Sequence, residues 1–136
     1  GGARGNPGPG GAGMVLYDMD ENKEVWCGWL FMEGPATNNE AEYTALITGL
    51  HCALSLGVSN ICVEGDSDLV VKQVTGRNKV RSDNLKQLYR SASLLSKEFS
   101  KFTIAHIPRL KNKRADELAN HALDTRNSFG FTEHRA

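Results

Sequence analysis

The order of its periodic segments predicts that this chain folds as an α/β domain with a mixed sheet flanked by helices. Two apolar segments, residues 14–17 and 24–31, lie on either side of a polar turn, which indicates an antiparallel hairpin. From residue 37 onward, helix-like and strand-like segments alternate, as they do in layered α/β folds. The 136 residues, 40% of them hydrophobic, suffice for one domain with a real core.

The glycine-rich residues 1–13 are predicted to form a loop, because they hold seven glycines and two prolines and lead directly into the first strand. The stretch lacks the Lys-Ser/Thr pair of a phosphate-binding P-loop and opens no helix, which excludes that motif. A turn between two strands and a backbone-binding role both remain open for it. Residues 18–23 are predicted to be a polar turn, and residues 33–36 a loop.

The remaining elements follow from helical and strand periodicity. Helices are predicted from Thr37 to near Leu56, over 68–74, over about 82–97 and over 115–124, and strands over 60–64 and 101–107. The predicted buried stripes are Leu85, Leu88, Ala92, Leu95 and Phe99 in the third helix and Leu118, Ala119 and Ala122 in the last. Residues 1–124 are therefore expected to form the domain, and residues 125–136 a flexible tail.

Charge and cysteine content restrict the function class. Lysine plus arginine and aspartate plus glutamate number 16 each, which argues against a general polyanion binder but leaves room for a local basic face. Cys27, Cys52 and Cys62 have no metal-like spacing and are predicted to be small buried hydrophobes in a reducing compartment. No secretory or membrane-spanning segment is present in the sequence, so we expect an intracellular location, with cytoplasm, nucleus and organelle all left open.

Glu42 is the first candidate functional residue. It lies in the first turns of a helix that Thr37 is expected to cap, on the same face as Leu46, Leu50 and Ala53. A lone carboxylate at the top of a buried stripe is costly unless something binds it. Solvation at a frayed helix end, or a favourable position in the helix dipole, is the alternative interpretation.

Two further carboxylates favour a functional interpretation. Asp66 follows the apolar run 61–63 at a strand-to-helix turn, where open α/β sheets bind ligands. Asp116 opens the last helix, after the strand 101–107. Carboxylates that converge at such element boundaries are suited to hold a hard divalent cation such as Mg²⁺, which prefers oxygen ligands.

Four segments of the chain, taken in order, resemble the ribonuclease H family, in particular its small plant and prokaryotic members. They are GGARGNPGPGGAG at the start, TNNEAEYTAL around Glu42, EGDSDLVV around Asp66 and NKRADELANHAL around Asp116. Together the segments extend over about residues 1–124. The family fold is a five-stranded mixed sheet flanked by helices.

The resemblance implies an endonuclease that hydrolyses the RNA strand of RNA–DNA hybrids. Its metal ligands and catalytic residues would be Glu42, Asp66 and Asp116, holding two Mg²⁺ ions with Mn²⁺ as a substitute. The family's substrate-binding residues correspond to Asn6, Thr37, Asn38 and Asn39, which would contact base edges, sugar hydroxyls and phosphates. Arg109, in a short loop where many members carry a histidine, is expected either to contact phosphate or to be a surface arginine.

Two departures from the family pattern shape the expectations. The family's fourth carboxylate is an aspartate at the end of its first strand, and both would precede Gly1. We therefore expect either a shortened gene product or a domain without that ligand and strand, with weak metal binding and little hydrolysis. A monomer is expected, with a dimer or strand donation as alternatives.

The basic segment 76–81, with Arg77, Lys79 and Arg81, is short for the family and is interpreted mainly as a solvated loop. A catalytically weakened domain that binds nucleic acid or a protein partner is the second functional hypothesis.

Overall fold

The computed structural model describes residues 2–5, 7–18 and 23–128. Its strands are β1 (Gly2–Ala3), β2 (Gly8–Asp18), β3 (Lys23–Ala36), β4 (Asn60–Gly65) and β5 (Lys101–His106). Its helices are α1 (Asn38–Ser55), α2 (Asp68–Val74), α3 (Asp83–Ser96) and α4 (Lys113–Thr125), with a short 3₁₀ helix at Arg109–Lys111. The α/β class and the order of elements predicted from the sequence are confirmed.

The strands form two sheets. The first has the order β1-β2-β3 and is antiparallel throughout, which confirms the predicted hairpin. The second pairs β4 with β5 in parallel, in register from Asn60 opposite Lys101 to Gly65 opposite His106. Among the described residues, β4 pairs with β5 alone, so one edge of β4 has no strand beside it.

Two loop predictions in the first sheet were wrong. Strand β2 begins at Gly8 rather than at residue 14, and β3 continues through residues 33–36 to Ala36. The two extensions pair with each other, since Gly8 lies opposite Ala36 and Gly10 opposite Met32. Glycine and proline have low strand propensity, but cross-strand pairing in the folded molecule overrides that local preference.

Close packing of α4 explains the glycines in β2. A Cβ atom added to Gly13 would lie 2.0 Å from the backbone oxygen of Ala115, and one added to Gly11 would lie 2.3 Å from that of Ala119. The absence of side chains therefore lets the α4 backbone rest directly on the strand. The inner side of α4 is buried as predicted, at Leu118, Ala119 and Ala122 and also at Leu123.

Helix α1 lies over both sheets. Its residues Tyr43, Leu46, Leu50 and Ala53 are buried in a core that also receives Ile61, Val63, Phe102 and Ile104 from the second sheet. Cys52 on the same helix packs with Ala12 and Met14 of β2. Burial of about 1.5–3 kcal/mol per large apolar side chain makes this helix the main connection between the two halves.

Helix α3 closes the core from the other side of α1. Leu85, Ala92 and Phe99 are buried as predicted, whereas Leu88 and Leu95 are only partly buried at the margin of the core. The helix begins after Ser82 and ends at Ser96, within one residue of the predicted bounds at each end.

A buried hydrogen bond joins α1 to α2. The Tyr43 hydroxyl donates to Oε1 of Gln73 at 2.7 Å, and both residues are buried. Burial, with a smaller contribution from Tyr89, raises the pKa of Tyr43 to about 12. The phenol therefore stays protonated in the folded protein at pH values where an exposed tyrosine would ionise.

Burial contradicts one prediction about the cysteines. Cys52 is buried, as expected, and Cys27 is half-buried, but Cys62 is exposed because it lies on the face of β4 opposite α1. All three are free thiols. None of the helices in the described part of the chain is long and apolar enough to span a membrane.

The first residues after α4 contact Phe31 of β3. Thr125 is still helical, Arg126 lies 4.7 Å from the ring centre of Phe31, and Ser128 accepts a hydrogen bond from the Phe31 backbone nitrogen at 2.9 Å. Of the predicted flexible tail at 125–136, residues 129–136 lie outside the described residues, as does most of the predicted turn at 18–23.

Replacement of Gly13 by alanine should displace α4 from β2, because the new Cβ atom would overlap the backbone of Ala115. We expect a loss of about 1–3 kcal/mol in the free energy of unfolding, measured by urea denaturation. Gly49→Ala in α1 is the matched control, since its Cβ would meet Met14 Cγ at an ordinary 3.8 Å. The control should be neutral or more stable by up to about 1 kcal/mol. Equal effects of the two substitutions would contradict the proposed contact.

The stability of the folded chain should fall as the pH rises from about 10 to about 12. The folded-state pKa of Tyr43 is raised, so its contribution is present below the unfolded-state pKa and is lost as the pH approaches the folded-state value. Tyr43→Phe should flatten this fall, by about 3 kcal/mol at most, when unfolding is followed at several pH values. Tyr89→Phe, as a control, should retain most of the fall, and an unchanged profile in Tyr43→Phe would exclude this origin.

Candidate functional site

The start of α1 is fixed by a capping box. The Thr37 side chain accepts from the backbone nitrogen of Glu40 at 3.2 Å, and the Glu40 carboxylate accepts from the Thr37 backbone nitrogen at 2.7 Å. These two bonds satisfy donors that would otherwise be free at a helix start. The predicted helix start at Thr37 is thereby confirmed, and the next residues, Asn38 and Asn39, are held in defined positions.

Asn38 and Asn39 each join α1 to another element. Asn38 Oδ1 accepts a hydrogen bond from the backbone nitrogen of Ala3 in β1 at 2.7 Å. Asn39 Oδ1 accepts one from the hydroxyl of Ser67, the capping residue of α2, at 3.1 Å. Three predicted substrate-binding residues, Thr37 included, thus lie side by side where β1, α1 and the β4–α2 turn meet.

Glu42 and Asp66 lie at the same end of the second sheet. Glu42 is half-buried one turn into α1, and its Oε2 lies 4.0 Å from the point where Gly65 would carry a Cβ atom. Gly65 is the last residue of β4, and Asp66 follows it directly, also half-buried. The alternative of a fully solvated Glu42 at a frayed helix end is excluded by its partial burial and by the capped start of α1.

Asn112 connects Asp66 to the helix that carries Asp116. Its side-chain nitrogen donates to Asp66 Oδ2 at 3.4 Å, while its backbone oxygen accepts from the Asp116 backbone nitrogen at 3.1 Å. Asn112 immediately precedes α4, so Asp116 lies in the first turn of that helix. Asn112 thus joins Asp66 to the first turn of α4, and Glu42 lies beside the end of β4 that Asp66 follows.

The donor set fits a hard cation, although the carboxylates are not gathered around a single point. Within residues 2–5, 7–18 and 23–128, no group of three or more His, Cys, Asp or Glu side chains is close enough to hold a metal ion. Mg²⁺ usually binds through one or two carboxylates, several waters and substrate phosphate oxygens, so a loose set of oxygen donors is compatible with it.

A hollow of about 190 Å³ lies beside Asp116. Gly2 and Ala3 of β1 and Asn38 of α1 line it on one side, and Asp116 and Asn120 of α4 line it on the other. Backbone, amide and carboxylate groups therefore surround a space next to one of the predicted ligands. Asn120 was not predicted from the sequence to belong to the site. It lies one helical turn after Asp116, so the helical spacing places both residues on the same side of α4.

Two ion pairs involve residues that lie two positions from a predicted ligand in the sequence. The carboxyl pKa of Asp68 is lowered chiefly by its hydrogen bond to Lys72, with nearby His106 and Arg77 adding to the effect. Arg114 holds Glu24 through two hydrogen bonds of 3.0 and 3.2 Å, which lowers the carboxyl pKa of Glu24.

Sequence reasoning missed Asn112 and Ser67, which position the predicted residues rather than carry charge. A signal for each was present, since Asn112 directly precedes the last helix and Ser67 is a typical capping residue directly after Asp66. Of the remaining predicted residues, Asn6 lies outside the described residues, and Arg109 begins the 3₁₀ helix after β5. The role predicted for each stays a prediction.

Similarity to known proteins identifies the family of this chain. Residues 1–122 match the family model described as "Reverse transcriptase-like". The chain belongs to this ribonuclease H-like family. It is 44% identical over 130 residues to the bifunctional protein Rv2228c of Mycobacterium tuberculosis, and 44% identical over 124 residues to ribonuclease HI of Halobacterium salinarum. The matches cover 91% of this chain in both cases, but only 34% and 61% of the relatives' own lengths.

Solved structures of the family are similar in fold. Ribonuclease H1 of Halobacterium salinarum matches with a TM-score of 0.86 at 43% identity, over 90% of this chain and 92% of that one. LC11-RNase H1, solved in complex with an RNA/DNA hybrid, matches with a TM-score of 0.85 at 38% identity, over 92% of this chain and 93% of the other. At these identities the likeness extends from the fold to the family.

Proposed function

We propose that this domain is a metal-dependent endonuclease that hydrolyses the RNA strand of RNA–DNA hybrids. The observation that carries the proposal is the position of Glu42, Asp66 and Asp116 around one end of the molecule, beside Asn38 and Asn39. The family membership and the hybrid bound by the similar LC11 enzyme support the same reaction. An intracellular location belongs to the same proposal.

In this proposal the three carboxylates hold Mg²⁺, with Mn²⁺ as a substitute. When bound, such ions stabilise the charge that develops on the phosphate and lower the pKa of an attacking water. Asp66 is oriented for this task by the Asn112 amide. Glu42 and Asp116 extend from two helices whose starts are hydrogen-bonded to neighbouring elements.

The RNA strand would lie along the start of α1. Thr37, Asn38 and Asn39 present hydroxyl and amide groups that can pair with ribose hydroxyls, sugar oxygens and base edges. Such contacts carry little base information, so we expect cleavage that depends weakly on sequence. Asn6 and Arg109 belong to the proposed substrate contacts on the basis of the family resemblance alone.

A monomer is the proposed state, and pairing with a strand from elsewhere is the alternative. The alternative is favoured by the edge of β4, which has no neighbouring strand among the described residues. The second functional candidate, a domain that binds hybrids without hydrolysing them, is favoured by the loose arrangement of the carboxylates.

The first test is cleavage of an end-labelled RNA–DNA hybrid by this chain in Mg²⁺ and then in Mn²⁺. We expect cutting of the RNA strand, reduced by at least about 100-fold in Asp66→Asn, Glu42→Gln and Asp116→Asn while the unfolding midpoint stays close to that of the parent. Asp83→Asn is the matched control, because its side chain is 95% exposed on α3. Equal rates for parent and Asp66→Asn would show that the site is wrongly assigned.

The same experiment separates the two functional candidates. Binding of the hybrid without cleavage in either metal would favour the non-catalytic domain. A variant with an added strand that ends in aspartate before Gly1 then distinguishes the enzyme from the binding domain. Cleavage by that variant would support the enzyme, and continued absence of cleavage would support the binding domain.

Asn39→Ala should raise KM for the hybrid by about fivefold to tenfold, with a smaller fall in kcat, because a hydrogen bond worth about 1 kcal/mol is lost in both bound states. Steady-state cleavage rates measure both constants. Asn60→Ala, at an exposed position at the start of β4, is the control. Because Asn39 also accepts from Ser67, the unfolding midpoint of each variant is measured alongside. A larger fall in kcat than rise in KM would place Asn39 in transition-state stabilisation instead.

A further inference from the structure

The ion pair between Glu24 of β3 and Arg114 of α4 is a bidentate fork. Nε of Arg114 donates to Oε1 of Glu24 at 3.0 Å, and Nη2 donates to Oε2 at 3.2 Å. The thiol of Cys27, on the same strand as Glu24, is also hydrogen-bonded to this carboxylate. Because a guanidinium and a carboxylate are both planar, two parallel hydrogen bonds fix the orientation of the two groups as well as their distance.

Three successive residues at the start of α4 face three different strands. Arg114 reaches β3, the backbone of Ala115 lies over β2, and Asp116 lines the hollow beside β1. Residues two positions apart in an α-helix differ by about 200° around its axis, so Arg114 and Asp116 point to opposite sides of α4. A rotation of the helix that moved Asp116 away from β1 would therefore also pull Arg114 out of the fork.

The packing of α4 on β2 sets the distance of the helix from the sheet but resists rotation only weakly. Gly11 and Gly13 offer the helix a backbone surface, so at these two positions no side chains of the strand interlock with it. The Asn112 side chain bonds Asp66 and caps none of the backbone nitrogens of α4, a helix that the structure describes in full. The fork therefore ties the first turn of α4 to β3, on the side opposite Asp116.

An ion pair that only adds stability is the alternative role for Glu24 and Arg114. The Arg114 side chain is 44% exposed and that of Glu24 is 31% exposed, and ion pairs in such surroundings contribute little to the free energy of unfolding. Water screens the attraction between the two charges, but it leaves the geometry of the formed fork unchanged. Loss of the fork should therefore be seen in the position of Asp116 rather than in the unfolding midpoint.

We propose that Glu24 and Arg114 form a positioning pair that sets the direction in which Asp116 extends from α4. The inference rests on the proposed function, in which Asp116 holds a metal ion, and adds to it two residues that touch neither metal nor substrate. Misplacement of a reacting group by about 1 Å can slow a reaction by about 100-fold. Glu24 and Arg114 thus act on the reaction through Asp116.

Arg114→Lys tests the proposal, because lysine keeps the positive charge but cannot form the fork. In ¹⁵N NMR without metal, we expect shifts of the backbone amides of Gly2 and Ala3, which lie across the helix from residue 114. In hybrid cleavage with Mg²⁺, kcat should fall at least about tenfold while KM changes by less than about twofold. The unfolding midpoint should stay close to that of the parent. Arg90→Lys, the same change at an exposed arginine of α3, is the matched control and should leave all of these values unchanged.

A double-mutant cycle tests whether the two residues act as one unit. Glu24→Gln and Arg114→Gln should each slow cleavage, and the double variant should be no slower than the slower single variant, since both changes remove the same fork. Effects that multiply would show independent roles and would overturn the proposal. Shifts confined to the neighbours of residues 24 and 114, or a rise in KM without a fall in kcat, would overturn it as well. Absence of cleavage by the parent would contradict the proposed function but not the positioning pair, which the metal-free shifts test separately.

Discussion

Burial of the inner face of α1 is the interaction on which the rest of the structure depends. The two sheets do not pair with each other among the described residues, and α1 contributes side chains to the cores of both. Tyr43, Leu46, Leu50 and Ala53 hold the parallel pair, while Cys52 faces β2 on the other side. Because Glu42 and Asn39 belong to the same helix, the packing that joins the sheets also sets the position of the site.

The contact between α4 and β2 has a similar double role. The glycines of β2 allow the helix backbone to approach within a distance that any side chain would prevent. The helix is thereby placed with its first turn beside Asn38 and the end of β1, where Asp116 lines the small hollow. A glycine-rich segment that looks like a flexible loop in the sequence is therefore a packing surface for α4. The close contact with the helix depends on the absence of Cβ atoms.

Periodicity and capping signals predicted the helices well, because amphipathic stripes and caps are local properties. The start at Thr37 and the bounds 68–74 needed no information from elsewhere in the chain. Predictions failed where distant residues decide the outcome. Strand pairing between Gly8 and Ala36 overrode weak strand propensity, and Cys62 is exposed because it lies on the face of β4 opposite α1.

The candidate site shows the same division. Three carboxylates and three polar residues at the start of α1 were predicted from the sequence, because each stands at a recognisable element boundary. Asn112, which lies 46 residues from Asp66 in the sequence and orients it, was not predicted. An amide that binds a carboxylate has no periodic signature. The hydrogen bond between Tyr43 and Gln73 was missed for the same reason.

Helix α2 is fixed at both of its ends. Its capping residue Ser67 donates to Asn39 of α1, and Gln73 in its last turn accepts from Tyr43 of the same helix. Seven residues at 1.5 Å each give a helix of about 10 Å, and its burial at Val70 and Val71 keeps it from shifting along the core. Because both hydrogen bonds end on α1, the helix that carries Glu42 also holds the residue that directly follows Asp66. The relative position of Glu42 and Asp66 therefore depends on the packing of α2 against α1.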